Sequence, residues 1–211
     1  MSKKKKNKKV VKLSSFEKIL LISSILLFII LAVLVVTNNI SWFDNGIYNI
    51  ISKLNSNIST FLFKLITFFC SIEFILLFII YMLIFNKKYG KGFTINIIGC
   101  VLLNQLLKHL FVRSRPMGIG IISESGYSFP SGHSMASVAF FGYFIYVILN
   151  SKLDKKKKIL FSSLLSLLIL LVGISRIYLG VHYASDVLAG FSIATTYLVI
   201  FKYIERKKKS F

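Results

Sequence analysis

The sequence predicts an all-α integral membrane protein, because it is apolar along most of its length and confines its charges to short segments. The chain of 211 residues is 55% hydrophobic and 16% charged, whereas soluble domains carry about 25% charged residues. A helix needs about 20 mostly apolar residues to cross a bilayer core. Six segments approach or exceed that length: 17–37, 61–85, 92–112, 133–150, 159–175 and 185–204. We therefore predict one domain, a bundle of six transmembrane helices spanning residues 17–204.

The first predicted helix follows a cluster of lysines, a combination that also occurs in cleaved signal peptides. The apolar run from Ile19 to Val36 is longer than a signal-peptide core, and no small-x-small cleavage site follows it. We interpret this run as an uncleaved first span.

The lysines and arginines predict the orientation of the bundle. They are concentrated in segments 1–16, 86–91, 151–158 and 205–211, which all lie on one side of a six-span bundle. Basic residues are retained on the cytoplasmic side of membranes, so both termini are predicted to be basic cytoplasmic tails. The net charge of +20 then fits attraction to anionic lipids. A nucleic-acid partner is not expected, because the cations flank spans and form no stripe with interleaved aromatic residues.

The predicted outer loop, residues 38–60, contains a candidate short helix. Asp44 is expected to cap it, and Trp42 and Phe43 are aromatic residues of the kind found at membrane interfaces. One face of this helix would carry Ile47, Ile50, Ile51 and Leu54. Two interpretations remain open: a helix that lies on the outer leaflet and guides lipid, or a loop that packs on the bundle.

Three further residues fall inside the predicted spans. Glu73 lies in the middle of the second span, where a charge is costly and often functional; protonation, pairing with another helix and contact with substrate all remain open. Cys70 and Cys100 show no metal-binding spacing. We interpret both cysteines as buried apolar residues, and no metal site or other cofactor is predicted.

The reactive residues of the chain are concentrated in three blocks at the predicted outer ends of spans three to six. The blocks read K-x6-R-P, P-S-G-H and S-R-x5-H-x3-D. They contain Lys108, Arg115 and Pro116, then Pro130, Ser131, Gly132 and His133, then Ser175, Arg176, His182 and Asp186. Three cations, two imidazoles and one carboxylate suit the binding of a phosphate group and its transfer through histidine.

The chemistry of each block can be stated separately. Spacing of four residues predicts His182 and Asp186 on one helical face, where the carboxylate would fix the imidazole tautomer and leave the other nitrogen free to attack. The start of a helix at Ser131 and Gly132 offers backbone N–H groups to an anion. Taken singly, each block also fits an ordinary explanation, such as a snorkelling cation or a simple helix start. Arg113 and His109 lie outside the pattern, and we interpret them as interfacial.

Together and in this order, the blocks resemble the three-part signature of the phosphatidic acid phosphatase type 2 superfamily. Every position of that signature is present. Similarity to its membrane-bound bacterial branch implies six transmembrane helices, an extracytoplasmic active site in the cell membrane, and metal-independent hydrolysis of lipid phosphates. Carried over to this chain, the resemblance makes His182 the nucleophile, Asp186 its orienting carboxylate and His133 the acid that protonates the leaving group. The phosphate-binding residues would be Lys108, Arg115, Ser131, Gly132 and Arg176.

The substrate expected from this resemblance is a phosphorylated membrane lipid: phosphatidate, phosphatidylglycerophosphate or undecaprenyl diphosphate. A dedicated undecaprenyl-diphosphate phosphatase, which recycles a cell-wall carrier, is one alternative, and a phosphotransferase is another. A third is a non-catalytic protein that binds or transports anionic lipids. The His182–Asp186 pair argues against that last alternative, because binding alone requires neither an oriented nucleophile nor a second histidine.

Overall fold

The structure is a computed structural model that describes residues 11–208, and within that range the regular secondary structure is helical. A 3-10 turn at Ser52–Leu54 follows the second helix. The α-helices in chain order are α1 Ser15–Val36, α2 Ser41–Ile51, α3 Asn57–Phe68, α4 Ile72–Phe85, α5 Lys87–Phe111, α6 Gly132–Leu149, α7 Lys155–Tyr178 and α8 Ala184–Lys208.

Five of these helices are long and apolar enough to span a bilayer, and the pair α3 and α4 makes a sixth candidate if it counts as one broken span. The two helices meet at an angle of 40°. The prediction of one continuous helix over 61–85 is therefore wrong. The helix breaks because the Ser71 side chain accepts a hydrogen bond from the Phe74 N–H at 3.2 Å and so caps a new helix.

The break also changes the position of Glu73. This residue lies in the first turn of α4 and is exposed, so it stands beside the break between α3 and α4 and not within a continuous helix. A carboxylate in the first turn interacts favourably with the positive end of the helix dipole. Cys70 and Cys100 are buried and unbridged, as the sequence indicated.

The basic segments prove to be parts of helices, which makes several spans longer than predicted. Helix α5 begins at Lys87 and α7 at Lys155, so lysines occupy their first turns. Asp154 caps α7 by accepting from the Lys157 N–H at 2.9 Å. Of the two predicted tails, residues 205–208 continue α8, while residues 1–10 and 209–211 lie outside the described part of the chain.

The helices pack around α6 and α8. Helix α8 contacts α1 and α6, while α6 also contacts α5 and α7; α4 packs on α5, and α3 on α7. The main apolar cluster is formed by buried side chains from α4 through α8, including Phe93, Met135, Phe140, Tyr143 and Val172. Large apolar side chains are also exposed along the outer faces of the helices, as expected for surfaces in contact with lipid.

Helix α2 in the predicted loop 38–60 is present, but Asp44 does not cap it. The residue at the N-cap is Ile40, which makes no side-chain capping bond, and the Asp44 side chain is buried against α8 instead. Phe43, Ile47 and Ile51 pack on α7 and α8. On the other side, the side chains of Trp42, Ile50 and Leu54 are exposed. The predicted single face of Ile47, Ile50, Ile51 and Leu54 is therefore wrong, because Ile47 and Ile51 pack on the bundle while Ile50 and Leu54 are exposed. The segment packs on the bundle, and its contact with the outer leaflet stays a prediction.

The three blocks of reactive residues meet at one end of the bundle, which we call the site end. It comprises the ends of α5 and α7, the starts of α6 and α8, and the long connection 112–131. The lysine-rich segments 86–91 and 151–158 join helices at the opposite end. This separation agrees with the sequence-based arrangement of blocks and lysines.

The connection 112–131 is fixed to the turn between α7 and α8 by a close backbone approach at Gly180. The Ile121 N–H donates to the Leu179 carbonyl at 2.9 Å. A Cβ atom on Gly180 would lie 2.3 Å from the Ile119 carbonyl oxygen, and the φ of +70° disfavours any side chain there. Only glycine fits this contact without displacing the loop.

Orientation is tested by cysteine labelling in intact cells, in a Cys70→Ala, Cys100→Ala background. Met117 is 89% exposed at the site end, and Lys152 is exposed at the lysine-rich end. We expect a membrane-impermeant maleimide to label Met117→Cys in intact cells and Lys152→Cys only after lysis, because the basic segments stay cytoplasmic. The reverse pattern would contradict the predicted orientation.

The close approach at Gly180 is tested by comparing Gly180→Ala with Gly118→Ala. Both glycines have positive φ, but a Cβ on Gly118 would meet nothing within 4 Å. Gly118→Ala carries only the cost of a left-handed alanine, about 1–2 kcal/mol. Gly180→Ala adds a backbone clash, so we expect its melting temperature in detergent to fall clearly further. Equal melting temperatures would show that the loop yields freely.

Candidate active site

The centre of the site is the contact between His182 and Asp186. Both are buried, with relative exposures of 3% and 0%. His182 Nδ1 lies 3.4 Å from Asp186 Oδ2. Helix α8 begins only at Ala184, so the expected reason for this contact, two neighbouring turns of one helix, is wrong. His182 lies in the loop that leads into α8, and this loop places its imidazole next to the Asp186 carboxylate in the first turn of α8.

The hydrogen bonds around His182 select one tautomer. Arg115 Nη1 lies 3.1 Å from His182 Nε2, and a guanidinium can only donate. Nε2 must therefore carry the lone pair, and the proton lies on Nδ1, which faces Asp186. Burial lowers the pKa of His182 to about 4, against the opposing effect of Asp186. The ring is neutral at pH 7, with Nε2 as its basic nitrogen.

The Asp186 carboxylate is held by several donors besides His182. Ser128 Oγ donates to Oδ2 and also lies 3.3 Å from His182 Nδ1. The Tyr183 N–H donates to Oδ2 at 2.9 Å, and Arg113 pairs with Oδ1. Ser128 was not predicted from the sequence, and the interpretation of Arg113 as interfacial is wrong. Ser128 lies two residues before Pro130 and outside the three blocks, so no sequence pattern indicated its role.

Arg115 joins the connection 112–131 to the turn before α8. Its guanidinium donates to the carbonyl oxygens of Gly126 at 3.0 Å, Ser125 at 2.9 Å and Val181 at 2.9 Å. Burial lowers the pKa of Arg115, with Glu124 and Asp186 opposing the effect. These three hydrogen bonds hold the positive charge of Arg115 next to His182.

Arg176 lies in the last turn of α7 and is 1% exposed. It donates to Glu124 on the connection and, at 2.8 Å, to Thr67 Oγ1 on α3. Burial would raise the pKa of Glu124, but Arg176 and neighbouring cations outweigh it and hold that pKa below its usual range. The buried Nε of Arg176 has no hydrogen-bond partner among the described residues. Glu124 was not among the residues predicted from the sequence.

The start of α6 lies beside the His182–Asp186 pair. The Ser131 N–H donates to the Asp186 carbonyl at 3.0 Å, which fixes α6 to α8. The Ser131 hydroxyl is the N-cap of α6 and accepts from Ser134 N–H at 3.4 Å. A Cβ on Gly132 would lie 3.2 Å from Asn104 Oδ1, so the absence of a side chain keeps the first turn open. The predicted helix start at Ser131 and Gly132 is present.

His133 and Lys108 complete the cluster. His133 is half-buried in the first turn of α6 and lies close enough to Arg176, Glu124, Lys108 and His182 for electrostatic interaction. Lys108 lies in the last turn of α5 and is close enough to Arg115, Glu124 and Asp186 to interact with their charges. The structure therefore gathers all eight predicted site residues at one place: Lys108, Arg115, Ser131, Gly132, His133, Arg176, His182 and Asp186.

This arrangement is chemically suited to a bound anion. Lysine and two arginines surround a neutral histidine whose basic nitrogen faces a guanidinium, and a helix start adds backbone N–H groups. Among residues 11–208, no group of three or more His, Cys, Asp or Glu side chains is arranged to hold a metal ion.

Comparisons with known proteins agree with the geometry. The family model of the PAP2 superfamily matches residues 89–210. The chain is 39% identical over 112 residues to phosphatidylglycerophosphatase B of Bacillus subtilis, covering 52% of this chain and 55% of that protein. It is 34% identical over 97 residues to dolichyldiphosphatase of Saccharomyces cerevisiae, covering 43% and 41%. The aligned segments thus span about half the length of these curated relatives.

Two crystal structures have a similar fold. The transmembrane PAP2 type phosphatidylglycerolphosphate phosphatase from Bacillus subtilis superposes with a TM-score of 0.81 at 30% identity, covering 89% of this chain and 96% of that one. Aquifex aeolicus LpxE superposes with a TM-score of 0.60 at 22% identity, covering 76% and 93%, and shows the fold alone. The family model, which extends from α5 through α8 and includes all three blocks, shows that this chain belongs to the PAP2 superfamily.

Proposed function

We propose that this protein is a lipid phosphate phosphatase, which hydrolyses a phosphomonoester or diphosphate of a membrane lipid through a phosphohistidine at His182. One observation carries the proposal. His182 is held with Nδ1 toward Asp186 and with its basic Nε2 at 3.1 Å from Arg115, inside a cluster of cations. A buried neutral imidazole with a fixed tautomer has the properties of a nucleophile.

The phosphate group binds among Lys108, Arg115 and Arg176, with the Gly132 backbone N–H and the Ser131 hydroxyl as further donors. Phosphoryl transfer depends mainly on positioning and on the neutralisation of the oxygens. Arg115 donates to the lone pair that must attack. Its Nη1 therefore turns from Nε2 to a phosphate oxygen as the substrate binds, and this movement frees the nucleophile.

The reaction proceeds in two balanced steps. In the first, the Nε2 lone pair forms a bond to phosphorus, the bond from phosphorus to the lipid oxygen breaks, and protonated His133 gives that oxygen a proton. In the second, His133 takes a proton from water, whose oxygen attacks phosphorus and breaks the bond to His182. Asp186 stabilises the positive charge on the imidazole throughout. No metal or other cofactor takes part.

The relatives suggest the class of substrate. One is a phosphatidylglycerophosphatase and another a dolichyldiphosphatase, so we propose phosphatidate, phosphatidylglycerophosphate or undecaprenyl diphosphate as substrate. A dedicated undecaprenyl-diphosphate phosphatase is the second candidate, favoured by the similarity to a polyprenyl-diphosphate enzyme. Phosphate release from these three lipids by purified protein distinguishes them: at least tenfold higher kcat/KM for one lipid identifies it, and no release from any of them contradicts the proposed function.

The proposed setting is a bacterial cell membrane, with both termini cytoplasmic and the site end on the extracytoplasmic side. The bilayer is then both the solvent of the helices and the source of the substrate. The exposed apolar face of α2, beside the site end, is suited to the membrane surface.

The role of His182 is tested by His182→Ala, for which we expect phosphate release to fall at least about a thousandfold, because cations that hold the phosphate cannot replace the nucleophile. Asp186→Asn is expected to lower the rate by about a hundredfold or more. His109→Ala is the matched control, because this histidine is exposed and contacts the Tyr127 ring. Near-native turnover by His182→Ala would exclude the covalent mechanism.

The pH dependence of kcat/KM tests the environment of His182. The nucleophile must be neutral, and burial lowers its pKa to about 4, so its protonation reduces the rate only below about pH 5. A free histidine would impose that limb near pH 6.5. Phosphate monoesters themselves titrate near pH 6, so the profile is measured with two aryl phosphates of different acidity. If the substrate titrates, the pH at which the rate falls differs between the two substrates. If the enzyme titrates, that pH is the same for both. An acid-side enzyme limb at pH 6–7 would contradict the buried, neutral state of His182, whereas loss of the His133 proton limits the rate on the alkaline side.

A further inference from the structure

Arg113 lies outside the three blocks, yet it contacts the carboxylate that orients His182. Its Nη1 donates to Asp186 Oδ1 and, at 2.8 Å, to Ser185 Oγ. Its Nη2 donates to Asp44 Oδ2 at 2.7 Å. The guanidinium also lies 4.1 Å from the centre of the Tyr183 ring. One side chain thus joins the start of α8 to α2.

Arg113 is the cation shared by two buried carboxylates. Asp44 is 3% exposed and Asp186 is 0% exposed. Ser185 connects them further, because its N–H and Oγ each donate to Asp44 at 2.8 Å. Burial would lower the pKa of Arg113, but Asp186 and Asp44 outweigh it and raise that pKa. Removal of one partner from such a group leaves an uncompensated buried charge, which is strongly unfavourable.

The two oxygens of Asp186 have separate partners. Oδ2 receives the Ser128 hydroxyl and the Tyr183 N–H, and it faces His182 Nδ1. Oδ1 receives Arg113. The rotation of an aspartate carboxylate about its terminal bond is soft, so a donor on Oδ1 adds to the two bonds on Oδ2 that keep this oxygen directed at the imidazole.

Asp44 extends this arrangement to the surface of the bundle. It lies in α2, whose buried face packs on α7 and α8 and whose opposite face exposes Trp42 and Ile50 at 77% and 64%. The contact of Asp44 with Arg113 and Ser185 therefore fixes α2 next to the orienting carboxylate.

We propose that Arg113 is a positioning residue of the reaction: it holds Asp186 against His182 and shares its charge with Asp44, which anchors α2 to the site. This inference rests on the proposed function, in which His182 is the nucleophile. It assigns Arg113 no contact with the phosphate, since its guanidinium is occupied by Asp44, Asp186 and Ser185.

The test compares Arg113→Gln, Asp44→Asn and the double variant with the unmodified full chain in detergent. For Arg113→Gln we expect kcat to fall about tenfold or more, as for other residues that orient a reacting group. KM and the inhibition constant of inorganic phosphate should stay within about twofold, because the cations that bind phosphate are untouched. Arg113→Gln leaves the Asp44 and Asp186 carboxylates without their shared cation. The double variant replaces the Asp44 carboxylate with a neutral amide, so it should recover part of the lost kcat.

Three results would overturn the inference. The first is a kcat of Arg113→Gln within twofold of that of the unmodified protein. The second is a rise of KM and of the phosphate inhibition constant in step with the loss of kcat. The third is a double variant that is no more active than Arg113→Gln. If Arg113→Gln does not fold, Arg113→Lys replaces it. A lysine cannot serve both carboxylates in the planar geometry, so kcat should fall at least threefold at unchanged KM, and an unchanged kcat would contradict the inference.

Two controls separate this inference from the proposed function. His109→Gln changes a neighbouring exposed residue and should leave kcat and KM as they are. His182→Ala is measured in the same assay. An active His182→Ala contradicts the proposed mechanism itself, whereas an inactive His182→Ala beside a fully active Arg113→Gln contradicts only the role of Arg113.

Discussion

The burial of the Asp186 carboxylate is the constraint on which the site end depends. A fully buried charge in a membrane protein is stable only if donors surround it. This carboxylate obtains them from His182, Ser128, the Tyr183 N–H and Arg113. These donors come from the α7–α8 turn and the connection 112–131. Arg113 also pairs with Asp44 and so links α2 to the same site. The same interactions that make the charge tolerable also fix the imidazole, so stability and the proposed catalysis have one structural origin.

A second set of contacts brings the cations to this pair. Arg176 at the end of α7 reaches Thr67 on α3 just before the break between α3 and α4, and it pairs with Glu124 on the connection. Arg115 is held by three backbone carbonyls. The irregular segments are therefore ordered by guanidinium groups, and the close approach at Gly180 lets the connection lie flat against the α7–α8 turn.

The sequence predicted what depends on local pattern and missed what depends on long-range contact. Apolar runs predicted the helical class, and the three blocks, through the family that they resemble, predicted eight candidate residues that the structure brings together. Both signals lie in contiguous stretches of the sequence. The break at Ser71 was missed, since a single capping hydroxyl inside an apolar run hardly changes hydropathy. Ser128, Glu124 and Arg113 were missed or misread for another reason: their partners are 52 to 73 residues away in the chain.

The central claim is that His182 Nε2 becomes covalently bonded to phosphorus. The most direct measurement is a rapid alkaline quench of the purified protein during turnover of a substrate labelled with radioactive phosphate, followed by peptide mapping. The account predicts an acid-labile, base-stable label on the peptide that contains His182, absent from His182→Ala and present in His109→Ala. Turnover without any trapped label, or a label on another residue, would contradict it.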